Sequence, residues 1–443
     1  MPPSLPKELF AERRARMLEQ LGTRGAALFF SAPEAIRSND SHFDFRQNSD
    51  LWYLTGFEEP ESAVLLLPSH EKHQVVMFVR KRDRERETWD GYRAGLDGAK
   101  AEFGADEAFL IEELDLKLPE LLEGRDRLHY GLGLYAERDT QVVKAVGRTR
   151  RLVAKRGKPY PREIVDPVGI LHEMRLFKRG RELEALRRAC KVSAEGHVAA
   201  MRATAPGRGE WEIQAEVEYV FKKAGAKSPG YTTIAGSGPN ACTLHYVENR
   251  RRMEAGDLLL VDAGAEVDYY TGDITRTWPV SGRFTGPQRE IYDLVLRAQQ
   301  EVIATVKPGL AYNTMHDRAI EVLTTGLVER GVLEGPVEKA IADKTYRPWY
   351  MHGTGHWLGI DVHDVGEYYA ATGTSRLLEP GMVFTVEPGL YFAPDAPNVP
   401  ERYKGIGVRI EDDILVTETG YEILTRDVPK EPEELEAIVG KDA

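Results

Sequence analysis

Cysteine is nearly absent: Cys190 and Cys242 are the only two in 443 residues. Two thiols cannot build a disulfide framework or a thiolate zinc site, and their scarcity fits a reducing compartment. No run approaches the ~18 apolar residues of a membrane span. The N-terminal MPPSLPKELFAERRARMLEQL lacks the apolar centre of a signal peptide. Nor is there an excess of positive charge. The formal charge is −12, which argues against nucleic acid or an anionic membrane as the main partner. The mixed-sign KRDRERE at 81–87 reads as a solvated face. These absences predict a soluble, cytoplasmic protein with no nucleic-acid and no membrane partner. The remaining composition, 42% hydrophobic and 29% charged, is that of an ordinary globular protein.

At roughly 100–200 residues per domain, the length predicts two to four domains. In the first third, AALFF (26–30), AVLLL (63–67) and QVVMFV (74–79) read as buried strands among candidate helices, an α/β pattern. The basic, proline-containing KRGKPYPREIVDP (155–167) is the linker candidate. Beyond it, Leu183, Leu186, Cys190, Ala194, Val198 and Met201 recur at helical spacing. Trp211, Ala215, Val217 and Phe221 predict a second helix stopped at Gly225, and a third follows Pro287. A fourth runs from Asn313, as N-cap, to Gly331.

An internal repeat carries the chemistry. EAGDLLLVDAG (254–264) and EPGMVFTVEPG (379–389) align without gaps, and each has an acid at the ninth position, Asp262 and Glu387. Each repeat strand is followed by another acid. A turn at Val267–Asp268 would set Asp273 opposite Asp262, and the midpoint between Glu387 and Glu411 falls in a proline-rich loop. Two hairpins would then deliver four carboxylates to one place. Burying even one unpaired charge costs several kcal/mol. An arginine, Arg276 or Arg409, could relieve one acid; relieving four calls for divalent cations. His352, His356 and His363 lie close by in MHGTGHWLGIDVHD. Its glycines and missing glutamate exclude a helical His-x-x-x-His zinc site. One imidazole with four carboxylates is a hard set that suits manganese and could hold cobalt, iron or zinc. His42, His70, His73, His129, His197 and His316 read as ordinary surface or core residues.

HYVEN (245–249), VDAG (261–264), GDITRTWP (272–279), HGTGHWLGIDVHD (352–364), EPGMVFTVEPGLY (379–391) and RIEDD (409–413) together resemble the pita-bread metallopeptidases, most closely their aminopeptidase P group. FDFRQNSDLWYLTGFEEP (43–60) and HEMRLFK (172–178) fit the same pattern, so the resemblance spans nearly the whole chain. It implies an α/β N-terminal domain over 1–175. An α+β pita-bread catalytic domain with an internal pseudo-twofold repeat follows over 176–443. The implied activity is dinuclear metal-dependent release of the N-terminal residue from peptides with proline second. Asp273 and Glu411 would bridge two ions, Asp262 would bind one, and His356 with Glu387 the other. Glu387 would also shuttle protons, His245 and His363 would contact substrate, His352 would line the proline pocket and Arg409 would orient the carboxylates. Trp89 lies where the family's N-terminal domain can reach a neighbouring subunit's site, and a homo-oligomer, dimer or tetramer, is implied. Prolidase, an Xaa-Pro dipeptidase with the same ligands, is the alternative. Metal-free creatinase-like enzymes and non-catalytic relatives are opposed by retention of all five ligands.

Overall fold

A computed structural model describes residues 5–371 and 373–442. The chain divides into two compact units, Met1–Met174 and Arg175–Ala443. The first is built on a six-stranded mixed sheet of Gly25–Phe30 (β1), Ala63–Leu66 (β2), Val75–Val79 (β3), Glu107–Leu110 (β4), Arg127–His129 (β5) and Glu163–Val165 (β6), in the order β4-β3-β2-β1-β5-β6. The continuous apolar runs of β1, β2 and β3 are buried at every residue, as strands covered on both faces must be. Leu114 and Leu118 of helix Leu114–Leu121 (α1) and Val142 and Ala145 of Ala136–Val153 (α2) share one core with β1 to β3.

The region 155–167 is not the linker that its composition predicts. Residues 163–165 form edge strand β6, paired with β5 in parallel register, and the boundary between units falls inside helix Val168–Leu176. Prolines flanking a short edge strand mimic a linker, because edge positions tolerate residues without an N–H.

In the second unit, Arg181–Ala203 (α3), Glu210–Lys223 (α4), Gly286–Thr305 (α5) and Asn313–Glu329 (α6) match the four expected helices. Two details differ. Asn313 is the first residue of α6 and Tyr312 takes the cap position, with no side-chain cap bond. Trp211 is 41% exposed and Ala215 is exposed as well, so the apolar face of α4 is Ile213, Val217 and Phe221.

The repeat folds as two hairpin systems. Ile234–Ser237 (β7), Leu258–Asp262 (β8) and Thr275–Pro279 (β11) form one sheet, from which Ala265–Val267 (β9) and Tyr270–Thr271 (β10) extend as the hairpin tip. Val383–Val386 (β12), Gly389–Phe392 (β13), Ile406–Arg409 (β14), Asp412–Val416 (β15) and Tyr421–Ile423 (β16) make the other. Strands β8 and β12 both begin at the fifth position of the repeat.

The first hairpin turns at Asp268–Tyr269, both with positive φ (52° and 67°), as a two-residue primed turn requires. This is one residue later than predicted. Asp262 therefore pairs with Thr275, and Asp273 lies diagonal to it. The slip is two positions, an even number, so both acids keep the same face. Here the backbones meet closely: a Cβ on Gly264 would sit 1.7 Å from the Gly272 carbonyl oxygen. Gly264→Ala is expected to cost ~1–3 kcal/mol, measured as a lowered denaturation midpoint.

Candidate metal and peptide site

Asp262 closes β8, and Ala263 N–H donates to Ile274 O (3.1 Å), carrying the ladder toward Asp273. In the second system Val386 pairs with Asp412 and Gly389 with Arg409. The same register extrapolates Glu387 onto Glu411, as the midpoint predicts. The two hairpins are stitched together at Thr275. Its carbonyl accepts from Glu411 N–H (3.0 Å) and its hydroxyl donates to Glu411 Oε2 (2.6 Å).

His356 reaches the acids from an irregular segment that runs along the edge of β12. Thr385 N–H donates to His356 O (2.9 Å), Glu387 N–H to Thr354 O (2.8 Å) and Leu358 N–H to Val383 O (3.0 Å). Further along, Asp364 is buried between Arg175 (2.6 Å) and Lys178 (2.9 Å). Arg175 and Lys178 thus anchor the loop that carries His363.

All nine residues singled out from the sequence, Asp262, Asp273, His356, Glu387, Glu411, His245, His352, His363 and Arg409, line one cavity of ≈ 610 Å³. Asp273, His356 and Glu411 each offer a ligand atom within 4.8 Å of the others, a group able to hold a metal ion. His356 Nε2 lies 3.4 Å from Asp273 Oδ2 and 3.6 Å from Glu387 Oε1. Arg409 donates to Asp262 Oδ2 (2.7 Å), to the Tyr391 hydroxyl (3.1 Å) and to Thr275 Oγ1 (3.1 Å). Arg276 does not relieve the four acids. It is fully buried and paired with Asp412 (2.7 Å), because the residue after Thr275 points to the opposite face of the strand.

The electrostatics follow from burying like charges together. Burial pushes Glu387 up to about 7, against the pull of His356 and Arg409, with Asp273 and Asp262 adding to the rise. Burial and the charge of Asp273 and Glu387 hold Glu411 well above the carboxylate range. Asp273 is raised by burial too, with His356 opposing. Burial disfavours a charged His356, but its bond to Asp273 and the charges of Asp273 and Glu387 overcome this and raise it to about 9. His352 is lowered to about 4 by burial and the Arg409 charge. The upward shifts of Asp273, Glu387, Glu411 and His356 mean that this cluster favours added positive charge. Divalent cations on the same oxygen-rich set would supply that charge directly, so the residues fit such ions.

Three contributors escaped sequence reasoning. The Tyr231 hydroxyl lies 2.6 Å from Asp262 Oδ1 and 2.5 Å from Asp273 Oδ1 and has one proton to share between them, Tyr391 bonds His352 Nε2 (2.9 Å), and Thr275 ties Glu411 to Arg409. Tyr391 and Thr275 lie inside quoted motifs, which was the available signal. Tyr231 lies in none. Trp89 is 84% exposed.

Comparison with known proteins agrees with this architecture. Residues 184–418 match metallopeptidase family M24, and residues 10–130 match the aminopeptidase P N-terminal domain. The chain is 46% identical to an Xaa-Pro aminopeptidase of Escherichia coli strain K12 and 45% identical to one of Haemophilus influenzae, each over 98% of both chains. Among solved structures it is similar to aminopeptidase PepP of Pseudomonas aeruginosa, at TM-score 0.95 and 47% identity over 98% of both chains. Zn-substituted E. coli aminopeptidase P in complex with product gives TM-score 0.94 and 46% identity, again over 98% of both chains. The chain belongs to metallopeptidase family M24, in its aminopeptidase P group.

Proposed function

We propose that this chain is a metal-dependent Xaa-Pro aminopeptidase in which Asp262, Asp273, His356, Glu387 and Glu411 hold two divalent cations. The observation that carries the reading is the convergence of four carboxylates and His356 on one cavity of substrate size. By the resemblance, Asp273 and Glu411 would contribute to both cations, Asp262 to one, and His356 with Glu387 to the other. Manganese suits this hard set best, with cobalt, iron and zinc as alternatives. When bound, such ions lower the pKa of water and polarise a carbonyl.

The chain's own residues do the rest. Glu387 takes a proton from the attacking water and delivers it to the proline nitrogen, which must be protonated to leave as an amine. His245 and His363 donate to the oxygen on which negative charge develops. Burial lowers His363, which favours the neutral imidazole, a donor through one ring N–H. His352, set by Tyr391, lines the proline pocket. Arg409 orients Asp262 and stays charged through Asp262, Glu387 and Glu411 despite its burial.

An imide before proline has no N–H, so recognition through backbone pairing loses a donor. A site that grips the free N-terminal amine and the proline ring avoids that loss. Acetylating the amine of an Xaa-Pro-Yaa peptide should therefore reduce kcat/KM by ~100-fold, about 2.7 kcal/mol of lost transition-state binding. Rapid cleavage of the blocked peptide would refute amine recognition. Assembly as a homodimer or homotetramer and residence in the cytoplasm complete the proposal; no helix among the described residues is long and apolar enough to cross a membrane.

A further inference from the structure

His316, in the first turn of helix α6, hydrogen-bonds the site segment. His316 Nδ1 lies 2.9 Å from Thr354 Oγ1, and the Tyr350 hydroxyl lies 2.6 Å from the same oxygen. Thr354 is 5% exposed and Tyr350 is fully buried. Burial holds Tyr350 above and His316 below their ordinary values, with Asp317 opposing the latter. The consistent arrangement has Tyr350 donating to Thr354, and the single Thr354 proton donated to a neutral imidazole protonated on Nε2.

Thr354 stands midway between His352 and His356, and its carbonyl accepts the Glu387 N–H. The Tyr350 ring also packs edge-on against His352, with centroids 5.1 Å apart. Neither His316, Tyr350 nor Thr354 lines the cavity, so their influence passes through the residues that do.

We propose that His316 is a positioning residue: through the Thr354 hydroxyl it fixes the main chain from which Glu387, His352 and His356 take their places. This rests on the proposed role of those three residues. Groups that orient metal ligands from behind typically change metal affinity or activity by 10–100-fold when removed.

The test uses the full chain, with Mn²⁺ binding measured by calorimetry and turnover on an Xaa-Pro-Yaa tripeptide. His316→Ala and Thr354→Val should each weaken Mn²⁺ affinity and lower kcat by ~10-fold, with KM changed less than ~2-fold. Their double variant should be no worse than the poorer single, since both break one connection. His316→Asn, whose Oδ1 can accept where Nδ1 does, and Thr354→Ser, which keeps the hydroxyl, should recover most of the loss. Unchanged affinity and kcat in His316→Ala, additive losses in the double variant, or failure of a folded Thr354→Ser to outperform Thr354→Val would overturn the proposal. If the wild-type chain bound Mn²⁺ but left the tripeptide intact, the assigned function would fail. The Mn²⁺ isotherms of the same variants would still decide the role of His316.

Discussion

Replacing Glu387 by alanine is expected to lower kcat on an Xaa-Pro-Yaa tripeptide by ~10³-fold or more. Loss of the proposed proton transfer alone is worth ~10²–10⁴-fold, and the same change removes one carboxylate from the proposed cation set. The variant should still fold. Glu387 faces a cavity, and its removal relieves charge crowding with Asp273, Asp262 and Glu411. Circular dichroism and melting should therefore stay close to wild type, or improve in the metal-free protein, while turnover collapses. A Glu387→Ala protein that retains wild-type kcat would remove this residue from the mechanism.

The second large effect concerns the metal-free protein. Glu387 rises from the ordinary 4.5 to about 7 on folding. A carboxyl raised in the folded state contributes stability that is complete below about pH 4.5 and lost as pH climbs through about 7. For Glu387 this amounts to about 3 kcal/mol. His356, raised to about 9, acts in the same direction: its contribution is full below about 6.5 and disappears as pH rises through about 9. Asp273 and Glu411 are also raised and reinforce the trend. Asp412, held at about 2 chiefly by Arg276 and Lys430 against burial, loses its contribution only in strong acid, outside this window. The chelated protein should accordingly melt at a clearly lower temperature at pH 8.5 than at pH 5.5. Excess Mn²⁺ should raise the melting temperature most at the alkaline end and flatten the profile, because binding only the folded state stabilises it. Chelated protein that becomes more stable toward pH 8.5 would contradict the electrostatic account of the site.

Much of this site was legible in the sequence because strands keep parity. The hairpin carrying Asp262 and Asp273 turns one residue later than the sequence suggested, yet both acids still reach the cavity, since a two-position slip preserves the face. Glu387 and Glu411 were easier: the ladders on either side share a register that puts them opposite each other. The helices announced themselves through apolar spacing, with Trp211 and Asn313 misjudged at the margins. Tertiary partnerships left no such trace. Tyr231 reaches the acids from a loop, where side-chain direction follows no period. His316 looks like any polar residue in the first turn of a helix, and only the fold shows Thr354 against it. The region 155–167 misled for a related reason: composition alone cannot separate a linker from a short edge strand flanked by prolines.

The most direct test of the central claim is turnover of a matched pair, an Xaa-Pro dipeptide and an Xaa-Pro-Yaa tripeptide, by Mn²⁺-reconstituted protein before and after exhaustive chelation. The account predicts release of the free first residue from the tripeptide at a kcat/KM at least ~10-fold above that for the dipeptide, about 1.4 kcal/mol contributed by contacts beyond proline. It also predicts loss of both activities on chelation and their return with Mn²⁺. Turnover of the dipeptide alone, or full activity in the chelated protein, would contradict it.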